Sequence, residues 1–558
     1  MAGLADEVLV ADNAQHPLLA TLDGFRDHDD RLSDHSEAGD AAAVATWNDI
    51  LARTRALDPA ALSAGDRVTC AVIRTHAQAA VDRLEARGVE FTVTAYQVAP
   101  AAGLLVAMPM IGITDPAHAA AYLTRLRGIP AMLHTVADRH RAGVAAGRLP
   151  VRRLVEAAIE HLDRHLAGRD TKPLRRPHPP ADSAVDSAAF AADRDRLIDD
   201  VVRPAFATYR TVLAEEIAPH GRPDEHAGLC RLPGGEEIYE HMVRAYTTVA
   251  RSAEELHRTG LELIERLAGE YRAIGGRLFG PIEVPELFRR MREDPALRWR
   301  DGDEILNTAR AAVARAEAAA PQWFGRLPLG RCTVRAVPDD DAPDAPTGNY
   351  LRAALDGSRA AIYFANTHKP RERDRYTGEA IAFHEVVPGH HLQVGLAQEL
   401  PDLPPMRRVI PIDAFAEGWG LYAERLADEM GLYSDDLARL GMLACDSTRA
   451  ARLVADTGIH ALGWSRQRAV DFFRTHTPMP PVDIEREINR YIADPGQALA
   501  YMVGRLEIER IRRRAQAALG ERFDIRAFHD TVLANGEIPL DALADVVDGW
   551  VTTLHDRA

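Results

Sequence analysis

The chain has 558 residues and a formal charge of −16, from 67 Lys+Arg against 83 Asp+Glu. That surplus of negative charge excludes the usual nucleic-acid binder, whose phosphate contacts need positive charge. A hydrophobic share of 46% with 27% charged residues fits a globular chain and excludes a disordered one.

Nearly all the positive charge is arginine: Lys172 and Lys369 are the only lysines, which we read as a coding bias. The first residues, MAGLADEVLVADNAQHP, show neither a basic start nor an apolar core of signal-peptide length. No run of about 18 uncharged apolar residues predicts a membrane span. Cys70, Cys230, Cys332 and Cys445 lie far apart without a CxxC pair, which suits reduced thiols better than a disulfide framework. The expectation is a cytoplasmic protein that binds neither nucleic acid nor membrane. Its oligomeric state is open between monomer and homodimer.

In chain order, Ala/Leu/Arg/Glu patterns with helical spacing run through residues 41–87, 117–167 and 185–215. Between the first two, Glu90–Gln97 (EFTVTAYQ) alternates β-formers and predicts a strand. The proline-rich stretch Thr171–Ser187 predicts a surface loop. At Ser252 a capping box with Glu255 opens a helix whose apolar face holds Leu256, Leu263 and Leu267. Residues 303–319 continue the helical pattern, Cys332–Val337 and Ala360–Ala365 read as short strands, and 497–519 returns to helix. No fixed-period repeat appears, so the predicted architecture is a single, mainly helical body over residues 1–558 with a few short strands.

Chemistry concentrates in Ile381–Gln393, IAFHEVVPGHHLQ. His384-Glu385 resembles the start of the zinc-peptidase HExxH helix, where two histidines one turn apart bind metal and the glutamate is the base. Position i+4 is Pro388, however, and the next histidines are His390 and His391. On a straight helix His390 would lie about 240° round from His384, and His391 about 10.5 Å along the axis. Neither could share an ion with His384. Pro388 cannot donate to the carbonyl of His384, and Gly389 tolerates unusual dihedrals, so the helix is predicted to bulge or break there. With two residues looped out, His390 becomes the preferred second ligand, with His391 as the alternative.

A catalytic zinc takes three protein ligands and keeps one open position. Phe415–Glu424, FAEGWGLYAE, offers Glu417, 27 residues past His390, which is about the separation that two-helix zinc peptidases use. Glu424 competes from the same helix. Gly418 and Gly420 would let helices approach closely, which favours Glu417.

HEVVPGHHLQ and FAEGWGLYAE resemble the central signatures of the family called domain of unknown function 885, placed among the thermolysin-like zinc peptidases. Asp456–Trp464 (DTGIHALGW) and Pro495–Gly504 (PGQALAYMVG) also resemble it, with weaker echoes in Asp27–His35, Tyr239–Thr248 and Phe523–Leu540. The resemblance covers nearly the whole chain. It implies a large helical metallopeptidase-like fold with a deep central cleft, and one Zn²⁺ held by His384, His390 and Glu417. Glu385 would then be the general base. Related enzymes place a tyrosine or histidine donor at the oxyanion, for which Tyr501 comes first and His460 second. Each is equally readable as a bonded core residue. Arg449, Arg452 and Arg505 are candidates for a peptide carboxylate, set against ordinary ion-pair roles. Asp456 would orient a ligand histidine or cap a turn.

The leading expectation is a zinc-dependent peptidase of short peptides, in the manner of a carboxypeptidase or dipeptidyl carboxypeptidase. The alternatives are a narrow-specificity amidase acting on a small metabolite and a metal-containing binding protein without catalysis.

Overall fold

Polar caps and amphipathic stretches make this chain helical from end to end. The computed structural model describes every residue except 169–171, 340, 341, 344, 356, 358, 557 and 558. The fold is mainly α, with one small sheet among the described residues. The predicted capping box is present: Ser252 accepts from the backbone of Glu255, whose carboxylate accepts from the backbone of Ser252. The helix that follows, Ala253–Phe279, buries Leu256, Leu263 and Leu267. No described helix is long and apolar enough to cross a membrane.

The sheet has three strands, β1 (Thr333–Ala336), β2 (Gly348–Leu351) and β3 (Ile362–Ala365), in the order β1-β3-β2. β1 runs parallel to β3 and β2 antiparallel to it, with Tyr350 opposite Tyr363. β2, GNYL, has no β-rich run to announce it and was not anticipated.

Glu90–Gln97 is not a strand. Gly88–Glu90 forms a 3-10 turn, and turns without sheet pairing follow. The reason is electrostatic. Glu90 is fully buried and gathers the guanidinium groups of Arg87, Arg139 and Arg148, which folds the segment around a charge instead of along a partner strand. In the proline-rich stretch, Thr171 lies outside the described residues. Lys172–Arg175 makes one helical turn, irregular chain follows, and a helix begins at Ser187, whose N-cap Asp186 accepts two backbone N–H groups. The four cysteines are free, with Cys70 and Cys445 buried.

The helices that matter for function cross at unusually short range. Asp413–Glu429 lies against Ala500–Leu519 with Gly418 facing Gly504. A Cβ on Gly504 would stand 1.8 Å from the Ala414 carbonyl oxygen and 2.7 Å from the Gly418 Cα. Both neighbours are backbone, so no side chain can yield. Gly504→Ala is therefore expected to destabilise the fold by about 1–3 kcal/mol or more, read as a lower denaturant midpoint at unchanged slope.

Candidate metal centre

The HEVVPGHH segment breaks where its proline and glycine fall. Gly378–Glu385 is one helix and His390–Gln398 another. Across the break the amide of Leu392 reaches back to the Val386 carbonyl at 3.2 Å, a span of six residues where an α-helix uses four. Pro388 has no N–H to give, and its own carbonyl accepts from the indole Nε1 of Trp419 at 2.8 Å. Gly389 folds against the preceding turn so tightly that a Cβ there would stand 1.8 Å from the His384 carbonyl oxygen. Only glycine fits.

This break swings His390 back over His384. The two rings meet edge to face with centroids 4.7 Å apart. Glu417 approaches both from the Asp413–Glu429 helix, its Oε2 lying 3.5 Å from His384 Nε2 and 3.6 Å from His390 Nε2. One ligand atom from each of the three lies within 4.8 Å of the others. Two atoms bound to one tetrahedral zinc at about 2.1 Å are about 3.4 Å apart, so these separations fit such an ion. Gly420 lets the carboxylate helix close in, because a Cβ there would lie 2.6 Å from the His384 ring.

Glu424 is one heptad beyond Glu417 and fully buried. It takes the other side of the same imidazole: His384 Nδ1 stands 2.9 Å from Glu424 Oε1. The Nδ1–H donated there fixes the ring and turns Nε2 toward Glu417, the arrangement in which a carboxylate orients a metal-ligating histidine. Glu424 is thus an orienting group for His384, a role that spacing alone did not reveal. Burial disfavours the imidazolium of His384, yet the flanking Glu417 and Glu424 outweigh it and raise its pKa to about 9. Burial also opposes ionisation of Glu417, but hydrogen bonds from His384 and His390 hold it well below the usual carboxylate range.

A further residue, Glu537, joins two of the three helices that carry the trio. Its carboxylate accepts from Gln393 Nε2 at 3.0 Å and from the Ile412 amide, which caps the Glu417 helix, at 2.7 Å. Nothing in the sequence singled it out, since it lies 120 residues beyond Glu417 in an unremarkable turn.

The other candidates separate clearly. His391 points away from the trio: Nδ1 lies 3.3 Å from the Tyr350 hydroxyl on β2, and Nε2 3.0 Å from the Gly330 carbonyl. Glu385 is half-buried and has no hydrogen bond or ion pair among the described residues. With burial, its charge contributes to the raised pKa values of Tyr363 and Cys332 and to that of His384. Tyr501 is half-buried. Burial and then the charge of Glu417 raise its phenol, and its ring lies against the guanidinium groups of Arg449 and Arg452.

His460 is a correction. It is fully buried, its Nδ1 accepts from the Leu229 amide at 3.1 Å, and its Nε2 donates to the Tyr491 carbonyl at 3.0 Å. Burial drives its pKa down to about 3, so it is neutral with both nitrogens committed. Such a ring has no N–H left for a substrate. Asp456 neither orients a ligand histidine nor caps a turn. It accepts from the Tyr239 hydroxyl at 2.5 Å and from the Gly496 amide, and burial raises it to about 7. Arg505 pairs with buried Asp446 and lies 3.3 Å from Glu509, so it is a packing residue of its helix. Arg449 and Arg452 stay close to the centre: Arg449 Nη2 is 3.7 Å from Glu424 Oε1, and Arg452 stands over the Tyr501 ring at 4.5 Å.

Fold and site together define a mainly helical protein whose His-His-Glu cluster is assembled from three helices. The chain belongs to the family described as bacterial protein of unknown function, DUF885, whose pattern matches residues 17–547. It is similar to a crystal structure of a candidate lipoprotein from Colwellia psychrerythraea, with 26% identity, TM-score 0.91 and 99% of each chain covered. A candidate lipoprotein of unknown function from Shewanella oneidensis shares the fold at 18% identity and TM-score 0.77, covering 97% of this chain and 98% of its own. No curated protein matches.

Proposed function

We propose that this protein is a zinc-dependent hydrolase of amide bonds in short peptides, related to the thermolysin-like zinc peptidases and working in a deep central cleft. The observation that carries this reading is the trio of His384, His390 and Glu417, with the carboxylate 3.5 and 3.6 Å from the two imidazoles and one ligand atom of each within 4.8 Å of the others, and Glu385 adjacent in sequence and unengaged among the described residues. His384, His390 and Glu417 would hold Zn²⁺, which would supply Lewis acidity toward a water and a carbonyl. Glu385 takes the attacking water's proton and passes it to the leaving amine. Tyr501 gives its O–H to the developing oxyanion. Glu424, bonded to Nδ1, keeps Nε2 of His384 turned toward Glu417, where the ion would be held. The four free cysteines support a reducing, cytoplasmic setting within the same proposal.

The test is a digest of a mixed library of short peptides by the zinc-loaded protein, read by mass spectrometry. We expect cleavage that stops on chelation and returns with zinc. A library left intact, while N-acyl amides of small molecules are cut, would replace the peptidase reading with an amidase.

A further inference from the structure

The helix Asp436–His460 carries Arg449 and Arg452 three residues apart, hence on one face. Arg449 approaches Glu424 Oε1, the same oxygen that bonds His384 Nδ1, so a single carboxylate separates its guanidinium from a ligand ring. It also meets Cys445, at the thiol and, over a long 3.5 Å, at the carbonyl. Its Nε is buried with no hydrogen-bond partner. Arg452 is 8% exposed and spends Nε and Nη2 on Glu487 and the Tyr491 hydroxyl, while its Nη1 is buried and unpartnered. Both guanidinium groups stand at the Tyr501 ring, at 5.8 and 4.5 Å.

The charges around them do not cancel. Arg452 and Arg490 share Glu487, and Glu424 serves both Arg449 and His384. Buried N–H groups without acceptors recur among the described arginines, Arg505 included, so those of Arg449 and Arg452 count through their place together beside Tyr501 and Glu424. The two, on adjacent cations beside a candidate metal centre, suit a planar anion that can accept from both forks.

We propose that Arg449 and Arg452 clamp the C-terminal carboxylate of the peptide, making this an exopeptidase that removes one or two residues from the C-terminus. The inference rests on the peptidase reading above. Arg505, with its partners Asp446 and Glu509, plays no part.

The experiment compares N-acetylated tripeptides bearing a free C-terminal carboxylate, a C-terminal amide, or an amide with a glutamate side chain. Zinc-loaded wild-type protein should favour the free acid by roughly 10-fold or more in kcat/KM, the scale of a lost charged hydrogen bond. Arg449→Met and Arg452→Met should erase that preference while keeping zinc, and the Arg→Lys variants should restore part of it. Equal turnover of acid and amide overturns the clamp, as does a preference for the glutamyl amide over the free acid. If no peptide is cut, the peptidase reading fails on its own. Calorimetric titration of Glu385→Gln protein with the acid and the amide then still decides the clamp. Tighter acid binding that Arg449→Met abolishes sustains it, and equal affinities refute it.

Discussion

Purified His384→Ala and Glu417→Ala proteins are expected to hold far less zinc than the one equivalent expected of the wild type, measured by metal analysis after dialysis. The argument is geometric. Three donor atoms within 4.8 Å of one another come from three separate helices, and removing one leaves two ligands on an ion that prefers four. Glu424→Gln gives the graded control. It keeps a hydrogen-bonding group at His384 Nδ1 but removes the charge, and the loss expected there is about 10–100-fold in zinc affinity. Full zinc retention in both alanine variants would show that the trio is an ion-pair cluster and nothing more.

Glu385→Gln is expected to do the reverse: keep the metal and lose turnover by about 10²–10⁴-fold, the usual contribution of a positioned general base. The isosteric amide leaves the helix Gly378–Glu385 and the His384 ring undisturbed, and Glu385 has no hydrogen bond among the described residues to forfeit. Stability should therefore change little. Zinc content, melting temperature and kcat on the best peptide from the library separate these effects, and unchanged kcat would remove Glu385 from the mechanism.

Much of this was legible in the sequence for reasons that can be named. Proline and glycine at 388 and 389 speak through covalent constraints, which act wherever the chain goes, so the break in the helix could be placed from residues alone. The Ser252–Glu255 capping box and the long helices are local in the same sense. What stayed hidden depends on distant partners. The alternating segment Glu90–Gln97 gave way to Arg139 and Arg148, which reach Glu90 from 49 and 58 positions away and join the neighbouring Arg87. His460 sits in a motif-like DTGIH stretch, yet its nitrogens are consumed by Leu229 and Tyr491. The division of labour between Glu417 and Glu424 follows from which side of one imidazole each meets, and heptad spacing does not encode that.

In an unbroken HExxH helix the periodicity of the helix itself brings two histidines together, so even a partly ordered chain can present a metal-binding pair. Here the pair straddles a break, and the bond from Trp419 to the Pro388 carbonyl is made by a residue 31 positions away on another helix. Local structure cannot assemble the pair before the tertiary packing exists. Zinc bound by the proposed trio would recognise the native state and not the denatured ensemble, so it would add to stability by mass action without templating the fold. Loading of the proposed trio would then follow folding, and the cell would have to deliver a finished protein to the ion.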